Sequence, residues 1–221
     1  MKLAIFNGSP RGTTGNSALI IDWLTEGMKT RQDIISEVYL LNRLRDHERF
    51  VKVLKESDIA IIVFPLYTDA MPGITMAFFE RLEDLKGTLN SLKLGFVVHS
   101  GFPEACQSRH VEKYLEWLTG YLGAQYLGTA IMGNSEGMKV MPPSMTQGKR
   151  SLFAELGRGI ALGTSFASAL LKKLSGKERL SRSAILGYKL LSLTGLANWY
   201  WNSQLKRNKA YDKRFAKPYA D

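Results

Sequence analysis

The residues best suited to chemistry stand together near the start of the chain, in Gly8-Ser9-Pro10-Arg11-Gly12-Thr13-Thr14-Gly15-Asn16-Ser17. An apolar run precedes this stretch and a helical pattern follows it. A strand-to-helix turn is a ready anion site, because the first N–H groups of a helix lack helical acceptors and the helix dipole favours negative charge. Glycines let the backbone come close to a ligand. Ser9, Thr13, Asn16 and Ser17 offer hydrogen bonds, and Arg11 offers a charge-assisted fork. Neither the Walker spacing nor the dinucleotide glycine fingerprint occurs here. A hydroxyl-rich loop with one arginine suits a terminal monophosphate; the plain alternative is a turn that binds nothing.

The elements around this loop follow from the apolar pattern. Strands are expected at Lys2 to Asn7, Ile34 to Leu41, Asp58 to Phe64, Leu92 to His99 and Ala124 to Ile131. Helices are expected near Asn16 to Lys29, Glu48 to Lys55, Gly73 to Leu85 and Ala105 to Leu122, with Asn16 or Ser17 capping the first. Strands alternating with helices imply right-handed crossovers and a parallel sheet covered on both faces. Five such strands suit a flavodoxin-like α/β sheet of order 2-1-3-4-5, with ligands beyond the carboxyl ends of the strands. Three loops therefore matter, those after strands one, three and four.

The wording of two of these loops resembles the NADPH-dependent FMN reductase family. Gly-Ser-Pro-Arg followed by Gly-Asn-Ser is one motif; the other is Phe64-Pro65-Leu66-Tyr67, then Met71-Pro72-Gly73 and Phe78-Phe79-Glu80-Arg81-Leu82. The resemblance covers roughly residues 2 to 132. It implies FMN as cofactor, NAD(P)H as co-substrate, and hydride passage through flavin N5 to a quinone, flavin or other small acceptor. Ser9, Arg11, Thr13, Asn16 and Ser17 would bind the cofactor through the first loop. Pro65, Leu66, Tyr67 and Thr68 would frame the ring, with backbone N–H groups from Leu66 to Thr68 toward its N5 edge. Ser100 and Gly101 would meet its pyrimidine end. No side chain is needed as an essential acid or base, and none is assigned as catalytic. The resemblance also implies a homodimer. The alternative function is a flavin-bearing electron carrier, or a membrane-tethered flavin-binding module without nicotinamide activity.

Composition narrows the classes further. One cysteine in 221 residues excludes an internal disulfide and any four-cysteine zinc or iron–sulfur site. No metal constellation is expected: His99 reads as a packed core histidine, and Cys106 as a small buried residue. No signal-peptide core is legible, so the cytoplasm is the expected compartment, with a membrane-peripheral setting as its variant.

The charge is concentrated at one end. Of the net +10, residues 171–221 carry 12 basic and 3 acidic side chains, a balance of +9. Such a tail favours anionic partners or merely keeps the surface solvated. It lacks a nucleic-acid motif, which leaves an anionic membrane surface as the better partner. The expected organisation is an FMN-binding domain over 1–135, then a linker or flap and a basic helical extension over 136–221. Helices are expected at Gln147 to Leu174 and Ser181 to Lys206, the second with a stripe of Leu186, Leu190, Leu193, Ala197 and Tyr200. That stripe reads either as a docked face or as an interfacial amphipathic helix.

Overall fold

The structure, a computed structural model, describes residues 1–31, 34–194 and 198–217, without the side chain of Tyr200. Ala197, part of the expected C-terminal stripe, lies outside the described residues.

Strands β1 (Lys2–Asn7), β2 (Ile35–Leu40), β3 (Ile59–Pro65), β4 (Lys93–His99) and β5 (Gln125–Met132) form one parallel sheet of order β2-β1-β3-β4-β5. This is the expected flavodoxin-like sheet. Its central strand explains its own sequence: all of Ile-Ala-Ile-Ile-Val-Phe-Pro in β3 is buried, as a strand covered on both faces requires. Side chains alternate between two cores. Leu3, Ile5, Ile59, Ile61, Val63 and Val97 enter one core, whereas Ala4, Phe6, Ala60, Ile62, Phe64 and Phe96 enter the other.

Helices α1 (Asn16–Met28), α5 (Pro143–Ala161) and α6 (Ser168–Ser175) contribute to the first core. Helices α2 (His47–Lys55), α3 (Gly73–Glu80) and α4 (Arg109–Tyr121) contribute to the second. The α1–α5 crossing is very close. A Cβ on Gly27 would stand 1.9 Å from the Ala154 carbonyl oxygen, and one on Gly157 would stand 2.1 Å from that of Leu24. Each helix thus offers a glycine to the backbone of the other.

The expected helix over Gln147 to Leu174 is two helices. The chain turns at Gly163, whose φ of +66° suits glycine. It then seats Phe166 against the sheet, where the Phe166 N–H donates to the Leu127 carbonyl at 2.7 Å. Room for that ring comes from Gly95 and Gly128, where any Cβ would press on it at 2.7 and 3.1 Å.

The chain forms two compact units, residues 1–179 and 180–221. The first extends past the boundary expected at 135, for reasons visible at its end. Packing of α5 and α6 joins residues 143–175 to the sheet. Beyond them, the N–H groups of Ala105 and Cys106 donate to the Lys177 and Glu178 carbonyls, and Arg109 pairs with Glu178 at 2.9 Å. The second unit holds α7 (Arg182–Leu193), α8 (Trp199–Arg207) and a 3-10 turn at Tyr211–Lys213. Among the described residues, no helix is long and apolar enough to cross a membrane.

Candidate active site

Asn7, the last residue of β1, folds the first loop. Its Oδ1 accepts from the Ser9 N–H at 3.0 Å, and its Nδ2 donates to the Gly12 carbonyl at 3.1 Å. The Ser9 hydroxyl accepts from the Arg11 N–H at 3.3 Å. Gly8 is held from two sides: its N–H donates to Val63, and its carbonyl accepts from Thr75 Oγ1 at 3.0 Å. A Cβ at Gly8 would lie 2.3 Å from that same hydroxyl, so the loop comes close to α3 only because position 8 is glycine.

Helix α1 then starts at Asn16 with no side-chain cap. Its first N–H groups are left to a ligand or to water. Asn16 and Ser17, the expected caps, do other work. Asn16 Nδ2 donates to the Ser135 carbonyl at 2.6 Å, and Ser17 Oγ bonds His99 Nε2 at 2.7 Å. The Arg11 guanidinium is exposed and has no carboxylate partner among the described residues.

The second loop is a tight reversal. Tyr67 and Ala70 exchange backbone hydrogen bonds of 2.8 and 3.0 Å around Thr68 and Asp69, whose φ angles are +50° and +60°. A β-branched residue at positive φ is a costly conformation of the kind found at functional sites. The expectation for the N–H groups of this loop changes accordingly. The Leu66 N–H donates to the His99 carbonyl and the Tyr67 N–H to Ala70. Among the described residues the N–H groups of Thr68 and Asp69 carry no such internal bond, and they are the ones available to a ligand.

The third loop leaves β4 at His99, and the segment after β5 folds over it. Ser135 N–H donates to the Ser100 carbonyl at 2.8 Å, and Ser135 Oγ bonds His99 Nδ1 at 3.0 Å. The buried His99 ring thus ties the start of α1 to the loop after β5. Burial pushes its pKa down to about 3, with the positive charge of Lys149 as a second cause. It is therefore a neutral linker, one ring nitrogen donating and the other accepting. Lys149, whose pKa burial also lowers, donates to the Asn134 carbonyl at 2.8 Å. Lys139 donates to the Thr14 carbonyl at 3.0 Å.

These loops enclose one cleft, lined by Ser9, Arg11, Asn16, Pro65, Leu66, Tyr67, His99, Ser100, Gly101, Ser135 and Glu136. Eight of the eleven residues singled out from the sequence meet here. Thr13 and Thr68 lie outside the lining, and Ser17 stands behind it on His99. The cleft gathers Arg11 and the α1 N-terminus with Glu136, which lies beside Gly101. Its donor set of a hydroxyl, a guanidinium and uncapped N–H groups fits a phosphate monoester. The half-exposed Tyr67 ring and the apolar Pro65 and Leu66 fit an aromatic ring system beside it. The residues present therefore fit FMN.

The NADPH-dependent FMN reductase family model matches residues 1–137. The chain belongs to that family. It is an FMN-dependent NAD(P)H oxidoreductase, with FMN as cofactor and NAD(P)H as co-substrate. No curated protein matches it in sequence. Solved structures match it in fold. An FMN-dependent NADH-azoreductase from Bacillus anthracis, in complex with FMN, is 16% identical with a TM-score of 0.58, over 73% of this chain and 100% of the other. The NAD(P)H:quinone oxidoreductase from Methanothermobacter marburgensis is 14% identical with a TM-score of 0.60, over 72% and 96%. An NADH:FMN oxidoreductase in its apo form covers more of this chain, 83%, with 98% of its own, at 13% identity and a TM-score of 0.56.

In this reductase the sequence reading missed the second layer of the site. Ser135 is the last residue of the expected FMN-binding stretch, and Glu136 is the first of the expected linker or flap. His99 was read as core, which it is, yet its two ring bonds make it the joint between the loops. A histidine at the last residue of a strand whose loop borders a ligand was the available signal.

Proposed function

We propose that this oxidoreductase passes reducing equivalents from NADH or NADPH to a quinone, a flavin or another small acceptor, using the cleft between the loops after β1, β3 and β4. The observation that carries the reading is the gathering of those loops, with an arginine that has no carboxylate partner among the described residues and an uncapped helix start, around a single cleft. FMN, when bound, supplies hydride acceptance and release at N5; the protein supplies binding and orientation.

Ser9, Arg11 and the first N–H groups of α1 hold the phosphate. Pro65, Leu66 and Tyr67 carry the ring, and the N–H groups of Thr68 and Asp69 are free to meet its polar edge. Ser100 and Gly101 border the far end. Asn16 acts by fixing the Ser135 segment, and Ser17 by holding His99. No side chain of the cleft is needed to move a proton. Tyr67 is 44% exposed at the mouth, which leaves one side of the cleft open to co-substrate and acceptor. A second subunit in a homodimer would narrow that side, and sedimentation velocity measures whether the protein dimerises.

The test is ligand discrimination followed by reduction. Arg11→Gln removes a charge-assisted contact to phosphate, which is worth about 1.5–3 kcal/mol, or roughly tenfold or more in Kd. The variant should lose that affinity for FMN and keep its affinity for riboflavin. Anaerobic NADH or NADPH should bleach the FMN-loaded wild type. Equal losses for FMN and riboflavin would remove Arg11 from the phosphate site. A flavin that neither nicotinamide bleaches would return the chain to the class of electron carriers.

A further inference from the structure

The second unit contains a helix that contradicts its surroundings. Helix α7 reads Arg-Ser-Ala-Ile-Leu-Gly-Tyr-Lys-Leu-Leu-Ser-Leu, and none of its residues is buried. Leu186, Leu190 and Leu193 form one stripe at helical spacing; Ile185 and Tyr188 form another. Their exposures run from 43% to 83%. A helix apolar on more than one side normally belongs in a core or in lipid. The described residues of this unit form no apolar core cluster of their own. Nearby, Trp199, Trp201 and Phe215 are 71%, 59% and 81% exposed.

The unit that carries these apolar residues is strongly basic. Residues 180–221 hold eight Lys and Arg and two Asp, a balance of +6. A unit that combines exposed apolar residues with an excess of one sign of charge fits a partner that is apolar and of the opposite sign. A twelve-residue helix is about 18 Å long, against about 30 Å for a bilayer core, so α7 is too short to cross and suits the plane of the interface. Lys189 and Arg182, its charged residues, have stems long enough to lie along acyl chains while their heads reach phosphate. Tryptophans favour the same depth.

We propose that α7, α8 and residues 208–217 dock on the anionic surface of a phospholipid bilayer, with α7 lying flat among headgroups and acyl chains. Nucleic acid fits less well, because α7 offers two cations among many exposed leucines. The inference does not depend on the flavin chemistry.

The experiment uses the full chain with vesicles of phosphatidylcholine, alone or mixed with phosphatidylglycerol. Co-sedimentation should favour the mixed vesicles by about tenfold or more and should fall steeply as salt is raised. Tryptophan emission should shift to the blue on binding. Leu190→Glu with Leu193→Glu should abolish binding, and Lys206→Glu with Arg207→Glu should abolish the preference for anionic lipid. Both double variants should bind FMN and be bleached by nicotinamide in solution as the wild type is, which separates failure here from failure of the flavin site. Equal binding to neutral vesicles, or none to either, would overturn the proposal. So would self-association lost in the leucine variant without vesicle binding, which would make α7 an interface between copies. Displacement from vesicles by a short DNA duplex at low concentration would reassign the surface to nucleic acid.

Discussion

His99 illustrates how one buried side chain sets a condition on the whole site. It is neutral, with a pKa pushed down to about 3 against an ordinary value of 6.5. The unfolded chain therefore binds a proton below pH ~6.5 that the folded chain refuses until about pH 3. Stability attributable to this histidine is complete above that upper value and drains as the pH falls between the two. At about pH 5 the loss should reach roughly 2 kcal/mol. Urea titrations at about pH 7.5 and 5 measure it, and His99→Gln should remove most of the difference. A wild type equally stable at both pH values would refute the assignment. Gly8 makes a second, steric prediction. Gly8→Ala must displace Thr75 Oγ1 from 2.3 Å, breaking the bond that holds the loop against α3. FMN affinity should fall, with about 1–3 kcal/mol of stability, by overpacking and a lost hydrogen bond. Cleft-lining side chains such as Ser9 and Arg11 were legible because residue types at a strand-to-helix turn have few other uses there. The internal bonds of Leu66 and Tyr67 were not, because which backbone N–H a turn consumes depends on the reversal at Thr68 and Asp69.

Elements were legible wherever a single local pattern decided them. Five apolar runs gave five strands to within a residue or two, and the sheet order followed from the flavodoxin-like pattern that five alternating strands suit. Residues 147–174 failed as one helix because the decisive facts are non-local. Gly157 reads as a weak point in a helix, yet it faces the Leu24 carbonyl of α1. The turn after α5 is set by where Phe166 finds room, over Gly95 on β4 and Gly128 on β5. Gly157→Ala raises helix propensity by about 1 kcal/mol, so an exposed helix would gain from it. Here the added Cβ meets backbone at 2.1 Å, and backbone cannot rotate away. A net loss of about 1–3 kcal/mol is expected, readable as a lower urea midpoint. Gly148, with nothing near its Cβ position, is the matched control, and Gly148→Ala should stabilise.

The molecule as a whole is a nearly neutral catalytic unit followed by a basic, apolar one. Removing residues 180–221 lowers the formal charge from +10 to +4. Residues 1–179 form a compact unit, so the shortened chain should fold, bind FMN with unchanged affinity and lose any attraction to anionic vesicles. A shortened chain that cannot hold FMN would mean that the second unit completes the site. The sign of the tail was legible in its lysines and arginines. Its division from the rest was not, because the boundary is held by Arg109 and Glu178, which are far apart in sequence.

The glycine crossing of α1 and α5 also bears on how the chain is made. Helix α1 leaves the ribosome early, carrying Ile20, Trp23 and Leu24 for a core that includes Phe153, Leu156 and Ile160 of α5. The family-matched stretch ends at residue 137, before α5 begins at Pro143. Until α5 has been synthesised, the side of α1 that meets Ala154 and Gly157 is bare, and the first core lacks Phe153, Leu156 and Ile160. Incompletely covered nascent chains are the ones that aggregate or recruit chaperones. The stretch that matches the family model thus carries, in this protein, only part of the first core. Translation through α5 and α6 supplies the residues that complete it.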